Sequence, residues 1–222
     1  MFQNSENHPK VIFGVSFSEV GGDEGIFLDD LKGEFAAWDS IQISYTDNGK
    51  TKLKDYLYST DGEIDETDGW YDGEYNYVGK TDRIGFGQGA WLVTENPTDL
   101  TTAGEVKKGH KIHTFTDPKT LVSSYYPTPF CPNAASVTWS NISAWDSIQV
   151  FYTDNGKTKL QDYLYSTEGE IDETDGWYDG EYNLLDADQE IAKAGEGFWL
   201  VLDSFEDAAF TEVSPLGDEV AK

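Results

Sequence analysis

Residues 37–76 return as residues 144–183 with four substitutions: Ile43/Val150, Ser44/Phe151, Lys54/Gln161 and Asp61/Glu168. A chain that carries one long segment twice is assembled from two similar units, so its surface chemistry comes in pairs. Paired chemistry suits a structural repeat or a bivalent binder better than an enzyme with one asymmetric active site.

The repeat extends beyond the near-identical block. Gly87-Gln88-Gly89-Ala90-Trp91-Leu92-Val93 is answered by Gly195-Glu196-Gly197-Phe198-Trp199-Leu200-Val201 after a one-residue insertion, and Glu105-Val106 by Glu212-Val213. We therefore place one module at residues 1–106, a second at 107–213, and an exposed tail at 214–222. The leading segments, residues 11–35 and 121–142, share little beyond Val15-Ser16 and Val122-Ser123, and Pro127, Pro129 and Pro132 interrupt the second.

Periodicity within each module is that of strands. Ile41, Ile43 and Tyr45 alternate with Gln42 and Ser44, Asp47-Asn48-Gly49-Lys50 supplies turn residues that tolerate positive φ, and residues 52–58 return rich in Leu and Tyr. The same hairpin signal recurs over residues 148–165. Residues 84–93 and 190–202 read as further strands, their Gly-x-Gly permitting a bulge or a close backbone approach beside a large Trp. No sustained 3.6-residue period appears; residues 28–35 offer at most one short helical turn. The expected fold is all-β: two tandem homologous antiparallel modules, sandwich or barrel-like, in a pseudo-twofold relation.

Charge narrows the partners. Forty-two acidic residues against fifteen basic ones give a net charge of −27, which repels nucleic-acid phosphates and anionic membranes. No apolar run has bilayer length, so no membrane span is expected. Seven Trp and thirteen Tyr argue for a packed chain despite the charge. Cys131 is the sole cysteine, which excludes an intrachain disulfide and a zinc site with two thiolates. His8, His110 and His113 make no metal motif, and the last two read as an exposed, solvated pair. The first ten residues are polar and lack the sections of a signal peptide.

Several short motifs occur in a familiar order: Val15-Ser16-Phe17, Val20-Gly21-Gly22, Leu28-Asp29-Asp30-Leu31, Asp39-Ser40-Ile41-Gln42, Gly69-Trp70-Tyr71 and Gly87-Gln88-Gly89-Ala90-Trp91-Leu92. In these the chain resembles poorly characterised bacterial secreted or surface β-rich repeat modules that carry an Asp-Ile-Gln strand, a Gly-Trp turn and a Gly-x-Gly-Phe-Trp-Leu strand. Residues 195–200 match the last motif fully, whereas Ala90 departs from its aromatic position. The resemblance implies an extracellular or cell-surface location and supplies no catalytic residues.

The densest chemistry lies in residues 61–74 and 168–181, each with seven carboxylates. Calcium is the cation such a loop would take, since it needs six to eight oxygens at about 2.4 Å; the ligands would come from Asp61, Glu63, Asp65, Asp68 and Asp72, and from Glu168, Glu170, Asp172, Asp175 and Asp179. An EF-hand does not fit: anchoring its glycine on Gly69 puts Ile64 first, and anchoring on Gly73 puts Trp70 third. The competing reading is a solvated acidic hairpin tip. A glycosidase pair needs one buried carboxyl, for which a crowded exposed loop gives no reason. No nucleophile elbow, P-loop or zinc-protease motif occurs, so no enzyme is expected.

Beside these acids stand Trp70, Tyr71 and Tyr75, with Trp177, Tyr178 and Tyr182, rings able to stack on sugar faces. Alternatively, Trp70 and Trp177 plug the core of a small β-domain. Trp38, Trp91, Trp145 and Trp199 lie in or beside apolar strand patterns and are expected in the core; Trp139 has no counterpart. The resulting expectation is a non-enzymatic secreted or surface structural repeat protein that assembles through sheet edges into an array or filament. Its alternative is a bivalent carbohydrate- or protein-binding module, calcium-dependent if the loops hold metal.

Overall fold

The computed structural model describes residues 2–3, 10–17, 24–48, 50–60, 62–96, 98–154, 157–167 and 169–217. His8, the Val20-Gly21-Gly22 motif, Gly49 of the first hairpin turn and Asn155-Gly156 of the second lie outside them. The first half carries β1 (Phe2–Gln3), β2 (Lys10–Gly14), β3 (Ile26–Phe27), β4 (Ser40–Asp47), β5 (Lys50–Ser59), β6 (Gly69–Tyr71), β7 (Arg83–Ile84), β8 (Gly89–Val93) and β9 (Asp99–Leu100). The second carries β10 (His110–Thr114), β11 (Lys119–Ser123), β12 (Val137–Ser140), β13 (Ser147–Asp154), β14 (Lys157–Ser166), β15 (Gly176–Tyr178), β16 (Gly197–Val201) and β17 (Ala209–Val213). The only helical turn among the described residues is a 3-10 turn at Leu28–Asp30, inside the stretch where the sequence allowed one.

The chain is thus all-β, and every strand pair is antiparallel. Two five-stranded sheets dominate, in the orders β2-β8-β4-β5-β6 and β11-β16-β13-β14-β15. Their registers correspond: Ile41 faces Leu92 and Tyr56, as Ile148 faces Leu200 and Tyr163. Both sheets are open, so the barrel-like alternative is not what forms. Each outer strand, β6 or β15, meets on its far side an isolated bridge, Tyr71 to Tyr77 or Tyr178 to Leu184, and does not close onto β2 or β11.

Around the shared sheet the halves differ, as their leading segments predict. The first half adds the small pairs β3-β7 and β1-β9, whereas the second adds a three-stranded sheet, β10-β17-β12. Two apolar cores result. One gathers Phe13, Val15, Leu28, Ile41, Trp70 and Leu92, the other Phe130, Ile148, Trp177, Phe198, Leu200 and Phe210. In the first core Phe35 packs on Trp70 with centroids 5.0 Å apart; in the second Trp139, from a different place in the sequence, covers Trp177 at 4.8 Å. Trp139, without a counterpart in the first repeat, thus helps close the second core, and its indole N–H donates to the Pro132 carbonyl at 2.8 Å. The segment expected as an exposed tail also begins inside the second half: Ser214 is buried, its N–H donates to the Gly109 carbonyl at 2.9 Å and its hydroxyl to that of Lys107 at 3.0 Å.

A third apolar cluster joins the halves. Ile12, Trp91, Leu121 and Trp199 pack together with Phe151 against them. The contacts are reciprocal: Gly14 N–H donates to the Gly195 carbonyl at 2.8 Å, and Ser123 N–H, at the matching register position, donates to the Gly87 carbonyl at 2.9 Å. Phe13 bridges Glu196 while Val122 bridges Gln88. The Gly-x-Gly motifs make this approach feasible, because a Cβ on Gly89 would stand 2.8 Å from the Val122 carbonyl oxygen and one on Gly197 2.5 Å from Ile12 Cγ2.

Candidate functional site

Among the described residues the acidic loops make matching hydrogen bonds in both halves, and their carboxylates brace the backbone. Asp65 accepts the Thr67 N–H at 2.6 Å and the Tyr71 hydroxyl at 2.5 Å; Asp172 takes Thr174 and Tyr178 at the same distances. Asp72 accepts the N–H groups of Glu74 and Asn76, both at 2.9 Å, and Asp179 those of Glu181 and Asn183 at 2.8 and 2.9 Å. These are Asx-type turns, in which a short side chain replaces a missing backbone partner. The tyrosine hydroxyls, followed by the threonine N–H groups, hold the Asp65 and Asp172 carboxyls below the usual range. Burial first, and the facing carboxylate second, push the Tyr71 and Tyr178 hydroxyls up to about 12.

Glu63, Asp65 and Asp68 are exposed and Asp72 half-buried, as are Glu170, Asp172, Asp175 and Asp179 in turn. Asp61 and Glu168 lie outside the described residues. Among the described residues no three carboxylate, imidazole or thiol groups converge as metal ligands would. The calcium reading gains no support, and four of its proposed ligands already serve as turn acceptors.

Of the six rings named for sugar stacking, four are unavailable. Trp70 and Trp177 are buried in the two cores, and Tyr71 and Tyr178 are buried with their hydroxyls tied to the loops. A ring with no exposed face has nowhere for a sugar to lie, so the core-plug alternative is the one that forms. Tyr75 and Tyr182 are exposed, each on a residue with positive φ.

Two tryptophans also face solvent, one in each half. Trp38 is 52% exposed and Trp145 51% exposed, at φ of 74° and 75°, contrary to the expectation that both lie in the core. The physical reason is the turn that precedes each strand: Trp38 and Trp145 stand in it with left-handed backbone, before β4 and β13 begin, and the buried place beside the strand goes to Asp39 and Asp146. Asp39, not the indole, is the residue that turns inward. Its carboxylate accepts the N–H groups of Ala36 and Glu95, both at 2.8 Å; Asp146 accepts those of Ser143 and Asp203 at 2.8 and 2.7 Å. Trp38 N–H donates to the Tyr58 carbonyl and Trp145 N–H to that of Tyr165, each at 2.8 Å. Two residues past those tyrosines the chain leaves β5 or β14 into the acidic loop, so indole and acids share one end of each sheet. Trp91 and Trp199 are buried at the contact between halves, where Lys10 and Lys119 lie over their rings.

A buried polar cluster forms in the second half. His113, expected as half of a solvated pair with His110, is buried because the segment is strand β10 and residues three apart face opposite sides. Its ring lies between Tyr125 and Phe210, with centroids 3.8 and 4.1 Å away, and its Nε2 is 3.5 Å from Glu212. Glu212 accepts the Ser124 hydroxyl at 2.7 Å and the Tyr125 N–H at 2.8 Å. Burial holds the His113 imidazole below its ordinary value, partly opposed by Glu212.

Set beside known proteins, the chain matches no protein-family model, no curated protein and no solved structure.

Proposed function

We propose that the chain is a non-enzymatic structural protein of the cell exterior that displays one β module twice on a single rigid body, with the two modules related by a pseudo-twofold axis. The observation that carries this reading is the reciprocal junction. Gly14 to Gly195 and Ser123 to Gly87 are the same hydrogen bond made from either side, as an isologous interface requires. Lys10 over Trp91 and Lys119 over Trp199 repeat the pattern in side chains. A duplicated surface then follows, because whatever residues 37–76 present, residues 144–183 present again.

Growth into a filament through sheet edges is the weaker form of the idea. The outer strands β6 and β15 each hold three residues and emerge from acidic loops, a device that discourages strand addition. A net charge of −27 adds repulsion between copies. Placement outside the cell is a reading that rests only on the resemblance of its short motifs, in their order, to secreted β-rich repeats. Antibody labelling of intact producing cells tests it: label on unpermeabilised cells is the expected result, and label that appears only after permeabilisation removes the exterior role.

A further inference from the structure

We propose that Trp38 and Trp145, each with the acidic loop at its end of the sheet, are two equivalent docking points for a basic polypeptide segment whose Lys or Arg side chains stack on the indole. This goes beyond the display role and does not depend on it.

Three observations meet at each site. First, a large apolar ring is held in solvent, 52% exposed at Trp38 and 51% at Trp145. Second, the backbone there is left-handed, φ 74° and 75°, a conformation that Asn or Gly adopts readily and a bulky residue resists. The turn is fixed by the Asp39 or Asp146 carboxylate on two N–H groups, which involves no atom of the indole. Turn geometry alone therefore does not call for tryptophan. Third, the surroundings are acidic. The N–H groups that reach Asp39 and Asp146 from across the sheet belong to the exposed acids Glu95 and Asp203, and residues 62–68 and 169–175 start beside the carbonyls that hold Trp38 and Trp145.

Charge complementarity selects the occupant. Tryptophan offers the best aromatic face for a cation, and flanking carboxylates reinforce that attraction. At −27 the whole chain draws in cations and repels a second copy of itself. A neutral glycan would gain stacking on the indole but nothing from the field.

Full-length protein labelled with nitrogen-15 at its indoles, titrated with octalysine and octaarginine at about 0.15 M salt, supplies the test. Two indole resonances absent from W38N/W145N should shift saturably, and each single variant should keep one of them. The double variant should bind peptide at least about threefold more weakly, with a circular dichroism spectrum and Tm no lower than those of the parent. If the Asn pair fails to fold, W38F/W145F decides, since Phe retains the apolar ring with a weaker cation preference and should lower peptide affinity. Unchanged peptide affinity in the folded variants overturns the proposal, because binding is then charge alone. Saturable binding of cellohexaose at these indoles without response to the peptides overturns it too.

Discussion

Trp38 and Trp70 carry the same side chain to opposite fates. Trp70 is 1% exposed, with Phe35 and Tyr58 edge-on to it at 5.0 and 5.2 Å, and Trp177 is enclosed by Trp139 and Tyr165. Truncating either to Ala should cost about 3–5 kcal/mol in urea melts, the usual loss for a buried aromatic. Trp38→Asn and Trp145→Asn should instead leave stability unchanged or raise it by up to about 1 kcal/mol, because relief of a left-handed backbone offsets the loss of a half-exposed ring. His113 makes stability depend on pH. Its folded value lies below the unfolded 6.5, so the unfolded chain binds the proton more readily. Its contribution is complete above about pH 6.5 and is lost as pH falls from there through the folded value. Melts between about pH 7 and pH 5 should therefore slope downward toward acid, and H113Q should flatten that slope.

At the level of elements, the acidic loops show how like charges are arranged in a short connection. Each key carboxylate satisfies two or more donors, so the loop is a set of braced turns between β5 and β6, or β14 and β15. Asp65→Asn should then speed amide exchange at Thr67 and draw the Tyr71 hydroxyl from about 12 part-way back toward 10, read by ultraviolet titration. The shift stops short because burial, the larger cause, remains. The hairpins β4-β5 and β13-β14 were legible in the sequence, since alternation and Asp-Asn-Gly turns are local signals. The three-stranded sheet β10-β17-β12 was not. It pairs strands far apart in sequence, and the proline-broken stretch before β12 gives no local sign of its partner.

For the molecule as a whole, the junction between halves decides whether there is one cooperative unit or two. Ile12, Trp91, Leu121 and Trp199 bury a shared apolar cluster, and Gly89 and Gly197 let the backbones meet. Adding one methyl at each glycine, G89A/G197A, forces contacts at 2.8 and 2.5 Å apart and should destabilise the chain by about 1–3 kcal/mol. Scanning calorimetry should show one transition for the parent, with calorimetric and van't Hoff enthalpies equal, and a broadened or split one for the variant. Two resolved transitions in the parent would sink the rigid-body reading.

Sequence by itself determined the duplication, the β period and the two long hairpins, because each is a property of neighbours along the chain. Tertiary structure alone decided which rings face solvent. Trp70 and Trp177 sit beside acids in sequence yet are covered by Phe35 and Trp139 from elsewhere, while Trp38 and Trp145 sit beside apolar strands yet point outward, since Asp39 and Asp146 take the inward place. Burial depends on what arrives from distant parts of the chain, and a left-handed turn just before a strand takes a residue out of that strand's alternation.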